Sequence, residues 1–232
     1  MKYRFNWNYP LFFSPHNPKK LYAGSQHLHV TTNGGESWEV ISPDLTRAEP
    51  ETLKSSGGPI TQDNTGVEYY ANLFAVQESP YAEGEIWAGS DDGLLHVTRD
   101  EGKTWKNVTP PMSPKYNMMN SIDVSPFVRG GAYVVATSYK FGDYTPYIYK
   151  TTDYGATWTK IDRGIPANAF TRVVREDEVR RDLLFAGTEL GLFISWNGGR
   201  NWSPFQLNLP ITPITDLRVH QGNLIAATSG RS

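Results

Sequence analysis

No cysteine occurs in the 232 residues, which excludes disulfides, thiol nucleophiles and thiolate metal sites together. Neither sign of charge is in excess: 22 Lys and Arg face 24 Asp and Glu, a net charge of −2. A chain so balanced lacks the basic footprint of a nucleic-acid binder. No apolar run approaches the ~18 residues of a membrane helix, so a membrane is not expected as a partner. The opening MKYRFNWNYPLFF has no apolar stretch of signal-peptide length and no small-residue cleavage site. Helix-period patterns are absent outside short stretches near Glu51–Lys54 and Glu176–Arg180.

What is abundant is aromatic and turn chemistry. Trp 7, Tyr 13 and Phe 10 favour pleated sheet, and Gly 21 with Pro 16 suit many short strands. An eight-residue unit, Thr31 to Trp38 (TTNGGESW), recurs as Thr98 to Trp105, Thr151 to Trp158 and Ser195 to Trp202. The shared pattern is S/T-x-D/N-x-G-x-S/T-W, and only Asn201 departs from it. Asn33, Asp100, Asp153 and Asn197 at the third position can accept backbone N–H bonds across a tight turn. The glycine at the fifth position suits φ > 0. Trp38, Trp105, Trp158 and Trp202 then close the unit, each as a buried plug in its own blade.

A second repeat lies upstream: LYAGS (21–25), IWAGS (86–90), VVATS (134–138), LFAGT (184–188) and LIAAT (224–228). Its spacing of roughly 40–65 residues matches one four-stranded propeller blade. The expected fold is therefore all-β, a β-propeller of four-stranded antiparallel blades. One partial propeller covers residues 1–232. Its blades lie at approximately 3–42, 71–109, 120–162 and 170–206, with a half blade at 214–232.

These boxes resemble those of the Asp-box (BNR-repeat) propellers. The segments SPHNPKKLYAGSQHL, GSDDGLLHVTRDEGKTWKNVTP and PYIYKTTDYGATWTKI look like those of large bacterial sortilin-like or xyloglucanase-like "glycosyl hydrolase" proteins. The resemblance covers nearly the whole chain. It implies a longer exported parent with two propellers, periplasmic or extracellular, of which this chain would be a fragment. Association is then expected, with a second copy or with the remaining blades of the parent. The expected contacts are the strands Tyr3 to Phe13 and Leu224 to Thr228.

The box carboxylates lie on the turn side of the blades, away from the loops where propellers hold ligands, so no catalytic residue is assigned. His29 and His96 stand two residues before their boxes, where Tyr149 and Phe193 stand in the other copies. A place that accepts His, Tyr and Phe is a packing position, so no metal site and no cofactor are expected. The Phe-Arg-Ile-Pro signature of sialidases is absent. The paired catalytic aspartates of xyloglucanase-type enzymes need a cleft between two propellers.

What remains is the loop face. It comprises the insertion from Pro43 to Tyr70, with Glu68 and Tyr69, and then Asp91, Asp92, Asp143, Tyr144, Glu189, Arg172 and Arg231. Loops on a rigid scaffold often carry function. The expected role is a non-enzymatic module binding a protein, peptide or glycan. The alternative is a subdomain of a xyloglucanase-like glycoside hydrolase. As a check on the structural reading of the boxes, Asp153→Ala is expected to cost about 1–2 kcal/mol through lost turn hydrogen bonds. Denaturant unfolding would measure it.

Overall fold

The computed structural model describes residues 2–63 and 65–230; Arg231 and the last residue of the half blade lie outside them. Two compact units are present, Met1–Thr109 and Pro110–Ser232. The first holds two four-stranded sheets. One is β1 (Leu11–Phe13), β2 (Leu21–Gly24), β3 (Leu28–Thr31) and β4 (Glu39–Val40). The other is β5 (Leu73–Glu78), β6 (Ile86–Ser90), β7 (Leu95–Thr98) and β8 (Lys106–Asn107).

The second unit holds two more four-stranded sheets and a two-stranded one. They are β9 (Met118–Val124) to β12 (Thr159–Lys160) through β10 (Ala132–Ser138) and β11 (Asp143–Thr151), and β13 (Thr171–Glu176) to β16 (Ser203–Pro204) through β14 (Leu184–Thr188) and β15 (Gly191–Ser195). The pair is β17 (Ile214–His220) with β18 (Asn223–Thr228). Every pairing is antiparallel between consecutive strands.

Within each unit one sheet packs against the next. β6, β10, β14 and β15 are buried at every residue. The fourth strand of each sheet is two exposed residues long, which keeps the outer edge short. Register places Leu21, Ile86, Ala132 and Leu184 opposite the first residue of their turns. In the third sheet this corrects the VVATS alignment by two residues, because β10 is longer and carries register irregularities near Val135 and Ala136. The corrected register reveals one aromatic position, Tyr22, Trp87, Tyr133 and Phe185, just after those residues.

The octapeptide turn is a side-chain staple built four times. The first-position hydroxyl donates to the third side chain, from Thr31 to Asn33 (2.8 Å), Thr98 to Asp100 (2.8 Å), Thr151 to Asp153 (2.8 Å) and Ser195 to Asn197 (3.0 Å). It also accepts the glycine N–H. The third side chain accepts the seventh N–H, at 2.8 Å in Thr104 and 3.1 Å in Asn201. Asn201 therefore keeps the backbone bond of the motif and loses only the hydroxyl bond that Thr104 and Thr157 donate at 2.6 Å. Donation by the Thr104 and Thr157 hydroxyls, then by their N–H groups, holds the Asp100 and Asp153 carboxyls below the usual range.

Trp105 and Trp202 reach out of their own blades. Trp105 donates its indole N–H to the Ile41 carbonyl of the preceding blade (2.9 Å), and Trp202 donates to Ile161 (2.6 Å). The turn glycine has a second reason to be glycine. A Cβ on Gly102 would sit 2.2 Å from the Ile41 oxygen, and one on Gly199 would sit 2.4 Å from Ile161 Cδ1. Burial follows the neighbour: Trp202 is 4% exposed and Trp38 is 42% exposed.

A paired aromatic and carboxylate repeats this stitching in each unit. Tyr22 donates to Glu78 (3.0 Å) and Tyr133 to Glu176 (3.2 Å), from the second strand of one blade to the first strand of the next. Burial first, and the adjacent carboxylate second, raise both phenols above their ordinary range.

Glu51–Lys54, with its helix-period pattern, overlaps a 3-10 turn, Pro50–Leu53. Two further corrections concern local structure. Glu176–Arg180 is not helical: Glu176 ends β13, and Asp177 accepts the N–H groups of Val179 and Arg180. The first strand begins at Leu11 rather than Tyr3. Of the residues before it, Tyr3 and Phe5 pack on His29, and Asn6 forms an isolated antiparallel bridge with Glu68.

The tryptophan contacts order the cost of truncation. Trp202→Ala is expected to cost about 3–5 kcal/mol, the range for a buried large aromatic. Trp38→Ala should cost below about 1 kcal/mol, as for a surface change. Equal losses in chemical unfolding would contradict the inter-blade role.

Candidate functional site

In the first unit the insertion is pinned down by the residues that looked like ligand contacts. Asp92 is fully buried, where burial raises its carboxyl against opposing hydrogen bonds. It accepts from the Ser90 hydroxyl (2.6 Å) and from the N–H groups of Arg47 (2.8 Å) and Ala48 (3.2 Å). Asp91 accepts the Asn72 N–H at 2.8 Å. Glu68 accepts the Trp7 indole at 3.0 Å, and the Tyr69 carbonyl accepts from Asn72. These four residues hold loops to one another.

Sequence reasoning missed Arg4, which ties the N-terminal segment to the insertion. Its side chain donates to the Ala71 carbonyl (3.0 Å), Asp44 (2.8 Å) and Thr46 (3.0 Å).

His29 and His96 behave as packing residues. His29 is buried and its Nε2 lies 2.8 Å from the Ser25 hydroxyl. His29, His96, Tyr149 and Phe193 share one register, opposite Val40, Asn107, Lys160 and Pro204. Among the described residues, no group of three or more His, Asp or Glu is placed to hold a metal ion, and no helix is long and apolar enough to cross a membrane.

In the second unit the loop ends build a different surface. Arg172 pairs with Glu189, its Nε and NH2 reaching one carboxylate oxygen at 3.0 and 2.8 Å. The guanidinium lies 4.9 Å from the Phe170 ring centroid and 5.5 Å from that of Tyr139. Tyr139 stacks on Phe170 at 4.9 Å and 15°, and Tyr144 approaches Phe170 at 6.1 Å. Tyr116 lies 6.4 Å from Phe141.

Asp143 is occupied by the Tyr147 hydroxyl (2.6 Å) and the Thr145 N–H (2.9 Å). Partial burial opposes its ionisation, but those bonds hold it below the usual range. Burial first, then the bond to Asp143, pushes the Tyr147 phenol up to about 12. Of this set the sequence reading named Asp143, Tyr144, Arg172 and Glu189. It passed over Tyr116, Tyr139, Phe141 and Phe170, although the run Tyr139-Lys140-Phe141-Gly142-Asp143-Tyr144 carries three rings in six residues.

No protein-family model matches the chain, and no characterised protein matches it in sequence. Among solved structures it is similar to an ancestral GH74 enzyme, at 16% identity and TM-score 0.64, over 87% of this chain and 24% of that one. It is similar to the GH74 xyloglucanase from Xanthomonas campestris, at 18% identity and TM-score 0.59, over 84% and 29%. YCF48 bound to a D1 peptide matches at 20% identity and TM-score 0.51, over 68% and 48%. The chain thus spans 24% and 29% of the two GH74 chains. At such identities the likeness establishes fold: the chain is an all-β, β-propeller protein with four four-stranded antiparallel blades and two strands of a fifth.

His96 supplies a pH test of the packing reading. Burial lowers its pKa from 6.5 to about 4. Between those values the unfolded chain takes up a proton that the folded chain refuses. This contribution is whole above pH 6.5 and lost as pH falls to about 4. His96→Phe, which installs the residue found at Phe193, is expected to make stability fall less over that window than in the unaltered chain. Parallel urea titrations from pH 4 to 7 would measure the difference.

Proposed function

We propose that this chain is a non-enzymatic propeller module of the Asp-box, sortilin-like type that binds a protein, peptide or glycan through its loop ends. The observation that carries this reading is the commitment of its loop carboxylates. Asp91, Asp92, Asp143 and Glu189 each accept internal hydrogen bonds. Acid–base hydrolysis of a glycosidic bond calls instead for a pair of carboxylates flanking that bond. The peptide-bound propeller among the similar structures supports the binding role by analogy of fold. A periplasmic or extracellular setting goes with this reading, as does a place beside further blades of a longer protein or a second copy.

The GH74 likeness supports a second reading, in which the chain is a subdomain of a xyloglucanase-like hydrolase. Reducing-end release from a polysaccharide panel separates the two. The module reading expects none. Turnover that disappears in Asp143→Ala, with the fold retained, would overturn it in favour of the second.

A further inference from the structure

We propose that the ring cluster of the second unit is a stacking shelf for a neutral oligosaccharide, its Phe141 and Tyr144 rings lying against pyranose faces. This rests on the binding-module reading and names the ligand class.

Three observations carry it. First, the two outermost rings are far more open than packing requires: Phe141 is 67% exposed and Tyr144 is 51% exposed. They are nevertheless linked to rings beneath, Phe141 through Tyr116 and Tyr144 through Phe170. Phe170 itself is 3% exposed and held under Arg172. An exposed aromatic group with a rigid foundation pays little entropy on binding. A pyranose offers the matching surface, an apolar face of C–H groups with hydroxyls around its edge.

Second, Arg172 and Glu189 neutralise each other. Both Arg172 contacts go to Glu189, so an anionic or cationic ligand would have to break that pair. The near-zero net charge of the chain also offers no steering to a polyanion.

Third, four backbone donors around the rings are used. Gly142 N–H goes to the Tyr139 carbonyl, Thr145 N–H to Asp143, Glu189 N–H to the Phe170 carbonyl and Leu190 N–H to Thr188. A peptide adding as a strand needs free main-chain partners, whereas a sugar stacked on rings does not. The polar edge of a sugar can reach the Tyr hydroxyls.

The test is calorimetric titration of the full chain with cellohexaose, mannohexaose and xylohexaose, with decaproline as the peptide probe. Phe141→Ala and Tyr144→Ala are compared with Trp196→Ala, which removes an exposed ring from a turn outside the shelf. Binding of at least one hexasaccharide is expected. It should weaken roughly tenfold or more in each shelf variant and hold in Trp196→Ala, with melting temperatures unchanged.

Sugar binding that survives both shelf variants would overturn the shelf while leaving a binding module. Decaproline binding at the rings without any sugar binding would overturn the ligand class alone. No binding of any probe would overturn the inference. Cleavage of the same sugars would instead count against the module reading.

Discussion

Everything in this fold depends on one sheet lying flat on the next. A four-stranded antiparallel sheet with fully buried second strands cannot be stable alone, since both its faces are apolar. The contact that fixes the stacking is the turn of one blade against the outer strand of the one before. A glycine without a Cβ lets the backbones meet, and an indole N–H then satisfies a carbonyl that the two-residue outer strand leaves open. The tyrosine–glutamate bonds stitch the same joint closer to the innermost strands. The joint inside the first unit and that between the two four-stranded sheets of the second thereby satisfy polar groups at two depths while closing an apolar layer between them.

That joint explains why the same motif has different burial in different blades. Trp202 sits on Ile161 within a core that includes Tyr133, Val135, Ile148 and Phe193. Trp105 sits on Ile41 at the edge of a core built from Tyr22, Leu28, Leu73 and Ile86. Trp38 has the same local sequence and the same hydrogen-bonded turn, yet it is open to solvent. The motif specifies a turn, and its neighbour specifies burial. Polar side chains at the loop ends follow the same logic. Asp92 and Arg4 are drawn into holding the long insertion, because a loop of that length must satisfy its own backbone. The short connections of the second unit need fewer such clamps and leave rings outward.

The octapeptide turn, the all-β class and the packing role of the His29, His96, Tyr149 and Phe193 position were legible in the residues alone. Each is encoded over a few residues, by hydrogen-bond geometry or by alternation along one strand. The register of the third blade was not legible, because β10 is two residues longer and its irregular pairing cannot be counted from a repeat. Nor was the hydrogen-bonded occupancy of the loop acids legible. Charge marks a residue as polar without saying whether a backbone N–H already claims it, as at Asp91 and Asp143.

The sequence by itself determined the repeated unit and the sheets it closes, since those forces act between residues fewer than about ten apart. Only the tertiary structure decided which tryptophan is buried, which carboxylates are occupied and that Tyr116, Tyr139, Phe141, Tyr144 and Phe170 form one surface. The tryptophan burial and the Tyr139–Phe170 stack join residues tens of positions apart, through contacts that exist only once one blade has stacked on another.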